Sequence, residues 1–492
     1  MKRFLPVCLL ILVYLTWTAL TYRNYAITSD EFSSYISGQI WFEYFQNKQI
    51  TYNLARYHPL VNEHYRIYPM ILYILIGNIK YELFHLLNML AFIPVIITAW
   101  ILALKNNKKI YATLIPVLFI LLTPRILGDI PNNPKDMPFA ISYFLTLAVI
   151  YITKSTQETW KNNLKILVLG LLMGFSQSLR PLGFGLYIIY FFWNFPKDLK
   201  SKAEIGKLIT ESIIIFLIGL LTMAVTWPAI GANFAANLKK YLSLGVDFNL
   251  WEGTVLYFGK EFSAGMIPWH YLFVWLGITL PLSHLIFFFS GIYSIIKKRA
   301  SNIQIYLYFT IGLNLLLHLI LKPNLYNGIR HYDYLVLLIS FAAGISLVNF
   351  YKTLNKKYFW GITTVLILYT GLTLNNISKL FPYQNLYFNE IVHGIKGAQN
   401  KFDVDYWDVA YKDAANYLAA NTSTNEVLAV YSCGAHTAMD YYLGQRIDQK
   451  KNASEAQYLI CDPKGYERLK NGFNILTKIE KDKTPLVVIG RR

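Results

Sequence analysis

The sequence predicts a polytopic α-helical membrane protein that ends in a small extracytoplasmic α/β unit. Of its 492 residues, 55% are hydrophobic and only 15% are charged, whereas a soluble domain carries about 25% charged residues. The apolar residues form long blocks, many of which reach the roughly 20 residues that a helix needs to cross a bilayer. After about Leu380 the pattern becomes that of a water-soluble chain. A membrane solvent accounts for both the composition and the blocks.

About eleven apolar blocks predict spanning helices, with approximate bounds. They cover roughly residues 4–22, 81–104, 110–124, 136–153, 165–180, 182–195, 208–229, 269–293, 303–321, 334–350 and 358–375. The first block follows Lys2 and Arg3, and no small-x-small cleavage site follows it. We therefore expect an uncleaved first helix rather than a signal peptide.

Basic residues predict the orientation of the helices, because cytoplasmic loops of membrane proteins are rich in Lys and Arg. If the N-terminus is cytoplasmic, every inner loop carries a basic cluster. These clusters are Lys105, Lys108 and Lys109; Lys154, Lys161 and Lys165; Lys197, Lys200, Lys202 and Lys207; Lys297, Lys298 and Arg299; and Lys352, Lys356 and Lys357. This pattern predicts an odd number of spans, with the C-terminus outside an inner (plasma) membrane. The net charge of +18 suits anionic lipid headgroups better than nucleic acid, which needs a basic face on a folded domain.

The outer face carries the long loops, so chemistry is expected there. Loops 23–80 and 230–268 belong to a predicted transmembrane domain of residues 1–380. In the first loop, an amphipathic stretch from Glu31 to Phe45 and a short apolar run from Tyr68 to Ile79 are expected to lie along the membrane interface.

Residues 381–492 predict the extracytoplasmic α/β domain. One helix is expected from Asp405 to Ala420, and three buried strands are expected at Glu426–Tyr431, Ala456–Cys461 and Pro485–Gly490. Cys433 and Cys461 lie in this region. Outside the cytoplasm they could form a disulfide, and two unpaired buried thiols are the alternative.

Several motifs are missing from the sequence. It has no P-loop, no Rossmann glycine fingerprint and no H-E-x-x-H zinc motif. An enzyme on the outer face also has no access to cytoplasmic nucleotide sugars. It would need an energised donor that is already in the membrane, and a polyprenyl-phosphate sugar meets that need.

Two adjacent carboxylates, Asp30 and Glu31, follow the first apolar block. Such a pair at the membrane surface suits a general base that takes a proton from an acceptor hydroxyl. Capping of the amphipathic helix, by Ser29 or Asp30, is the commoner use of such residues. Both interpretations stay open at this stage.

Three other places combine charges at the predicted outer surface. Arg125 and Lys135 could hold a lipid phosphate by charge-assisted hydrogen bonds, with Asp136 orienting the sugar or pairing with Lys135. Arg330 and His331 could bind phosphate or the leaving group. Arg180, at the outer end of the fifth span, is a further phosphate candidate. The alternatives are local ion pairs, interfacial anchors and snorkelling side chains.

A metal site has weak support. Glu63, His64 and Arg66 lie close together in the first outer loop, but one His and one Glu make a poor ligand set. Loop packing is the preferred interpretation. We predict no metal-ligating residue, and a requirement for a divalent cation stays open.

Taken in order, these residues resemble glycosyltransferase family 39 of the GT-C superfamily, which includes protein O-mannosyltransferases and lipid A aminoarabinose transferases. Asp30 and Glu31 match the acidic pair of the first outer loop, and Asp136 matches a second acidic position. Two further stretches resemble a bacterial branch, and the resemblance covers about residues 1–420. The stretches are Phe258–Gly259 with Ile267–Tyr271 and Pro281, and Gly328–His331 with Pro382–Gln384, Tyr387–Asn389 and Asp405–Trp407.

The resemblance implies an inverting transfer from a polyprenyl-phosphate sugar, with Asp30 as general base. Glu31 and Asp136 would then shape the sugar and acceptor sites, and Arg125, Lys135, Arg180, Arg330 and His331 would serve phosphate or sugar. The tail after Asn421 departs from the luminal modules of the eukaryotic mannosyltransferases, so the acceptor is open: a glycan, a lipid or a protein. The competing hypothesis is a lipid-sugar flippase or transporter, for which ionisable residues near the bilayer midplane would be expected.

Overall fold

The computed structural model describes most of the chain. The described residues are 4–47, 67–76, 80–154, 159–196, 198, 201–227, 234–246, 253–434 and 436–492. The N-terminal helices are α1 Leu5–Thr21, α2 Ser29–Asn47, α3 Ile67–Ile76, α4 Tyr81–Ala91, α5 Ile93–Asn106, α6 Ile110–Leu121, α7 Pro124–Asn132, α8 Asp136–Ile152, α9 Thr159–Leu179, α10 Gly185–Asn194, α11 Lys202–Thr226 and α12 Phe234–Val246.

A small hairpin and further helices follow. These are β1 Thr254–Tyr257, β2 Lys260–Ser263, α13 Tyr271–Thr279, α14 Leu282–Ile296, α15 Asn302–Leu321, α16 Asp333–Thr353, α17 Lys356–Leu380 and α18 Gly394–Ala398. The C-terminal elements are α19 Tyr411–Asn421, β3 Leu428–Ser432, α20 His436–Leu443, β4 Ile447–Gln449, β5 Tyr458–Cys461, α21 Pro463–Leu469, β6 Asn474–Lys481 and β7 Thr484–Arg491.

Each of the eleven predicted blocks is helical, but the number of spans is not confirmed. Among the described residues, four helices are long and apolar enough to cross a membrane, or up to six if each bent helix pair counts as one span. The remaining blocks form helices that are shorter or less apolar than these. The predicted interfacial stretches of the first outer loop are the helices α2 and α3.

Two helix pairs are bent because a proline follows an extended residue. Helices α6 and α7 meet at 61°, and α13 and α14 meet at 118°. Thr123 and Leu280, which precede Pro124 and Pro281, have extended backbone with ψ of 103° and 140°. Proline disfavours the helical region for the residue before it, so the helix stops there. The block at 269–293, predicted as one spanning helix, is therefore a bent pair of helices.

Helix α16 forms the centre of the helical region. Its residues from Asp333 to Asn349 are all buried, so this helix is surrounded by other helices. By contrast, α1 leaves Leu9, Leu12 and Val13 more than half exposed, as expected for side chains that face lipid acyl chains. Because α16 is central, its N-terminal end, next to Arg330, lies in the interior of the protein.

The C-terminal unit is a five-stranded mixed sheet of order β4-β3-β5-β7-β6, in which β3 is parallel to β4 and β5 while β7 is antiparallel to β5 and β6. Cys433 and Cys461 form a disulfide with a Cα–Cα distance of 4.8 Å. The predicted helix from Asp405 begins only at Tyr411. The Asp405 carboxylate accepts hydrogen bonds from the backbone N–H groups of Val409 and Ala410, at 3.1 Å each, and this turn replaces the first helical residues.

Gly128 sets how closely α7 can approach the segment that leads into the C-terminal unit. A Cβ atom at this position would lie 2.0 Å from the backbone nitrogen of Asn385, so Gly128→Ala forces two backbones apart. We expect a loss of about 1–3 kcal/mol of stability, as for other overpacked sites, seen as a lower unfolding temperature in detergent. Gly206→Ala is the matched control, because a Cβ there meets nothing within 4 Å. Equal unfolding temperatures for the two variants would contradict this interpretation.

Candidate active site

Three elements distant in sequence bring charged side chains together. Asp30 lies in the first turn of α2, Lys135 lies between α7 and α8, and Arg330 lies just before α16. The Lys135 ammonium is 2.7 Å from Asp30 Oδ1, and the Arg330 guanidinium is 2.5 Å from Asp30 Oδ2. Each carboxylate oxygen of Asp30 therefore has its own cation. We call Asp30, Lys135 and Arg330 the charge cluster.

The charge cluster is shielded from water, which strengthens its internal electrostatics. Asp30 is 8% exposed and Arg330 is 6% exposed. Burial by itself raises the pKa of Asp30, but the attraction of Lys135 and Arg330 outweighs burial and holds that pKa well below its usual range. The carboxylate is thus ionised at neutral pH and is a weak base while both cations remain on it.

A second ion pair extends the cluster. Arg180, which follows α9, contacts the carboxylate of Asp136 at the start of α8. The side-chain amide of Asn133 donates to Asp136 and to Asp333, at 3.2 Å in both cases. From the sequence, Asp136 was expected either to orient the sugar or to pair with Lys135; the structure pairs Asp136 with Arg180 and Lys135 with Asp30. Asn133 was missed as a bridging residue, although it stands in the same charged motif.

Glu31 points away from the charge cluster. Its carboxylate lies 2.7 Å from Nε2 of His85, in α4, and both side chains are buried. Glu31 also accepts a hydrogen bond from the Thr28 backbone N–H at 2.8 Å, while the Thr28 hydroxyl accepts from the Glu31 N–H at 3.3 Å. This reciprocal arrangement is a capping box. The capping interpretation thus applies to Thr28 and Glu31, and not to Asp30.

Arg125 is fully enclosed. Its guanidinium donates to the Tyr406 hydroxyl at 3.1 Å and to the Tyr387 carbonyl at 3.4 Å, and it lies over the rings of Trp275 and Phe388 at 5.7 and 5.8 Å. These contacts join α7 to the segment that follows α17. The partners of Arg125 are distant from it in the sequence, so these contacts could not be predicted. Only the aromatic residues in the motifs quoted above gave any indication of them.

His331 lies beside the charge cluster, with its ring 4.6 Å from that of Tyr326. The Arg330 guanidinium is 5.2 Å from the same Tyr326 ring and 6.0 Å from that of Trp407. Arg330 thus has aromatic rings around it in addition to its carboxylate partner. Tyr326 was not singled out from the sequence, and Trp407 was quoted only within the stretch Asp405–Trp407, without a role in the site.

The predicted loop residues Glu63, His64 and Arg66 lie outside the described residues. Within the described part of the chain, no three His, Cys, Asp or Glu side chains are grouped as ligands for a metal ion.

Comparisons with known proteins identify the fold of the chain. No protein-family model and no curated protein matches the chain. Two crystal structures of ArnT from Cupriavidus metallidurans do match it, one bound to undecaprenyl phosphate and one in the apo state. Each has a TM-score of 0.54 at 12% sequence identity, over 99% of this chain and 98% of ArnT.

The similarity extends over the helical region and the C-terminal unit alike. The predicted GT-C fold is thereby confirmed, whereas the narrower assignment to family 39 stays a prediction. The chain is a multi-pass membrane protein with the GT-C fold.

Proposed function

We propose that this protein is a membrane glycosyltransferase that takes a sugar from a polyprenyl-phosphate donor on the outer face of the membrane. The observation that carries the proposal is the charge cluster, a buried carboxylate held between two cations. The similarity to a protein crystallised with undecaprenyl phosphate supports a lipid-linked donor. It concerns the fold alone, so the acceptor and the sugar are left open.

The charge cluster fits a phosphate leaving group. Lys135 and Arg330 are cations in a water-poor site, where fixed charges stabilise a developing negative charge strongly. Arg180, paired with Asp136, would supply a third cation. We leave Arg125 out of the phosphate set and assign it a positioning role, because aromatic rings and Tyr406 enclose its guanidinium.

The pairing of Asp30 also suggests how its basicity is controlled. A donor phosphate bound by Lys135 and Arg330 competes with Asp30 for both cations. Losing those partners raises the pKa of a carboxylate, so donor binding makes Asp30 a better base. Asp30 then accepts the proton of the acceptor hydroxyl while the acceptor oxygen attacks the anomeric carbon. The bond from that carbon to the phosphate oxygen breaks, and the polyprenyl phosphate leaves with inversion.

The other predicted residues take supporting roles in this proposal. Asp136 holds Arg180 in place, and Glu31 fixes the start of α2 through the capping box and His85. His331 lines the site next to Arg330. The site thus depends on one base and three cations, each oriented by a buried partner.

We also propose the orientation in which the N-terminus is cytoplasmic and the C-terminal unit lies outside the inner membrane. The disulfide between Cys433 and Cys461 supports this placement, because disulfides persist in oxidising compartments and are rare in the cytosol. The basic inner loops support the same orientation. It puts Asp30, in the first turn of α2 just after α1, on the side where lipid-borne sugars are the available donors.

Lipid analysis of cells with and without the protein tests the proposal. We expect a polyprenyl-phosphate sugar to accumulate in the deletion strain, because its consumer is gone, and to return to the parental level on complementation with the wild-type protein. Extracted lipids are measured by mass spectrometry. Complementation by the wild type but not by Asp30→Asn would show that the catalytic activity of the protein is required, and not only its presence in the membrane. An unchanged lipid profile, or movement of the lipid sugar across liposomes without transfer, favours the flippase hypothesis instead.

A further inference from the structure

A cleft of about 340 Å³ lies where the β1–β2 hairpin, the segment from Gln399 to Tyr411 and the C-terminal sheet meet. Its volume falls in the range of small-molecule sites, roughly 300–1,000 Å³. All three walls lie outside the predicted spanning blocks, so in the proposed orientation the cleft is on the outer side of the membrane. None of the residues assigned to the charge cluster lines it.

The lining is acidic and rich in hydrogen-bonding groups. Lys464 is the single cationic side chain among the described lining residues, and it lies at the exposed rim, 3.5 Å from Glu261. The rings of Phe402, Tyr406 and Tyr411 also line the cleft. Five carboxyl side chains face this space: Glu261, Asp403, Asp405, Asp408 and Asp462.

Some of these carboxylates also have structural roles. Asp403 accepts from the Leu256 backbone N–H at 3.2 Å, and Asp462 accepts from the Lys464 backbone N–H at 3.1 Å. Such bonds fix the orientation of a carboxylate, yet an ionised carboxylate has about four acceptor sites. Capacity to bind a ligand therefore remains after the backbone is satisfied.

Thr484 provides an independent observation. Its side chain is fully buried and lines the cleft, and its hydroxyl has no hydrogen-bond partner within the described structure. A buried hydroxyl without a partner costs about 1–3 kcal/mol. A ligand with its own polar groups would recover that loss.

We propose that this cleft is the subsite for an acceptor saccharide that is uncharged or carries amines. The proposal rests on the proposed function and names its acceptor class. Carboxylates accept hydrogen bonds from sugar hydroxyls and ammonium groups, and aromatic rings pack against the apolar faces of sugar rings. The same carboxylates disfavour saccharides that bear phosphate, sulfate or carboxylate, since like charges repel across a partly buried site.

Two residues that line the cleft are bonded to, or lie in the same loop as, residues of the candidate active site. Tyr406 lines the cleft, and its hydroxyl accepts the hydrogen bond from Arg125. Asn327 lines the cleft in the same short loop that carries Arg330. Gly328 keeps this loop close, because its φ is +70° and a Cβ there would come within 2.9 Å of the Tyr406 ring. A saccharide in the cleft therefore lies against residues that adjoin the candidate active site.

The proposal is tested by measuring, with calorimetry, the binding of three tetrasaccharides to the full-length protein in detergent. The three are oligomers of glucosamine, of N-acetylglucosamine and of galacturonic acid. We expect the amine-bearing and uncharged oligomers to bind at least about tenfold more tightly than the anionic one, which corresponds to about 1.4 kcal/mol. Asp408→Asn should weaken binding of the glucosamine oligomer by about tenfold. Asn adopts the left-handed backbone of Asp408, whose φ is +57°, so the fold is kept.

Two controls separate the outcomes. Asp448→Asn removes an exposed carboxylate of the same unit that pairs with Lys450, and it should leave all three affinities unchanged. Thr484→Val removes the buried hydroxyl, and should weaken binding without lowering the unfolding temperature. Tightest binding of the galacturonic acid oligomer, equal effects of Asp408→Asn and Asp448→Asn, or no binding of any oligomer would overturn the proposal. Asp30→Asn should bind the oligomers normally, so normal sugar transfer by that variant would refute the proposed function alone.

Discussion

Asp30→Asn is expected to abolish sugar transfer while the protein still inserts into the membrane. The substitution keeps the shape of the side chain but removes the group that accepts the acceptor proton, and general base catalysis contributes about 10²–10⁴-fold to rate. It also removes the negative charge between Lys135 and Arg330. Transfer from a polyprenyl-phosphate sugar by purified protein is the measurement, with kcat expected to fall by about that factor.

The control for this prediction must share the helix but lie away from the cluster. Glu43→Gln meets this condition, because Glu43 lies further along α2 and accepts a hydrogen bond from Gln39 at 3.1 Å. We expect wild-type turnover from this variant. Membrane yield and the elution profile in detergent show whether both variants fold. Turnover by Asp30→Asn that equals that of Glu43→Gln would exclude Asp30 as the base.

The sequence predicted the helices well because hydrophobic blocks are set by local composition. All eleven blocks are helical, and the three predicted strands lie within one or two residues of β3, β5 and β7. Strands β4 and β6 were missed. β4 has three residues, and β6 is largely exposed, so neither carries the buried apolar run that identified the other strands.

The charge cluster was predicted only as a set of candidates, because sequence does not give pairing. Asp30 and Arg330 are 300 residues apart, and Asp30 and Lys135 are 105 apart. The sequence allowed a pair between Lys135 and its neighbour Asp136 as one of two options, whereas the fold places Lys135 on Asp30 and turns Asp136 toward Arg180. The direction of each side chain depends on how α8 and α16 pack, and that is a tertiary property.

The hairpin before α13 illustrates the same limit on a smaller scale. Phe258 and Gly259 were noted as a motif, but their role as the turn between β1 and β2 was not predicted. Both have positive φ, 49° and 76°, as the favoured two-residue hairpin turns require. Gly suits that geometry, whereas Phe gives no signal for it. The cleft that this hairpin helps to form was therefore invisible from sequence.

Arg330→Gln should weaken donor binding more than any other single change among the cations, because Arg330 is the most enclosed of those on Asp30. A hydrogen bond to a charged group contributes about 1.5–3 kcal/mol, so we expect the KM for the lipid donor to rise by about tenfold to a hundredfold. The KM for the acceptor should change little. Arg330→Lys, which keeps the charge, should recover part of the loss, and Arg23→Gln, on an exposed residue of the first outer loop, should leave both values unchanged.

The pH profile gives a second measurement that a purely structural role for Arg330 would not alter. Burial raises the pKa of Asp30, while Lys135 and Arg330 together hold it below its usual range. Arg330→Gln removes one of these two cations, so the pKa of Asp30 rises. Because the acid limb of kcat/KM follows the free enzyme's base, that limb should move to higher pH in Arg330→Gln and stay in place in Arg23→Gln. An unmoved acid limb together with a raised donor KM would mean that Arg330 binds phosphate without controlling the base.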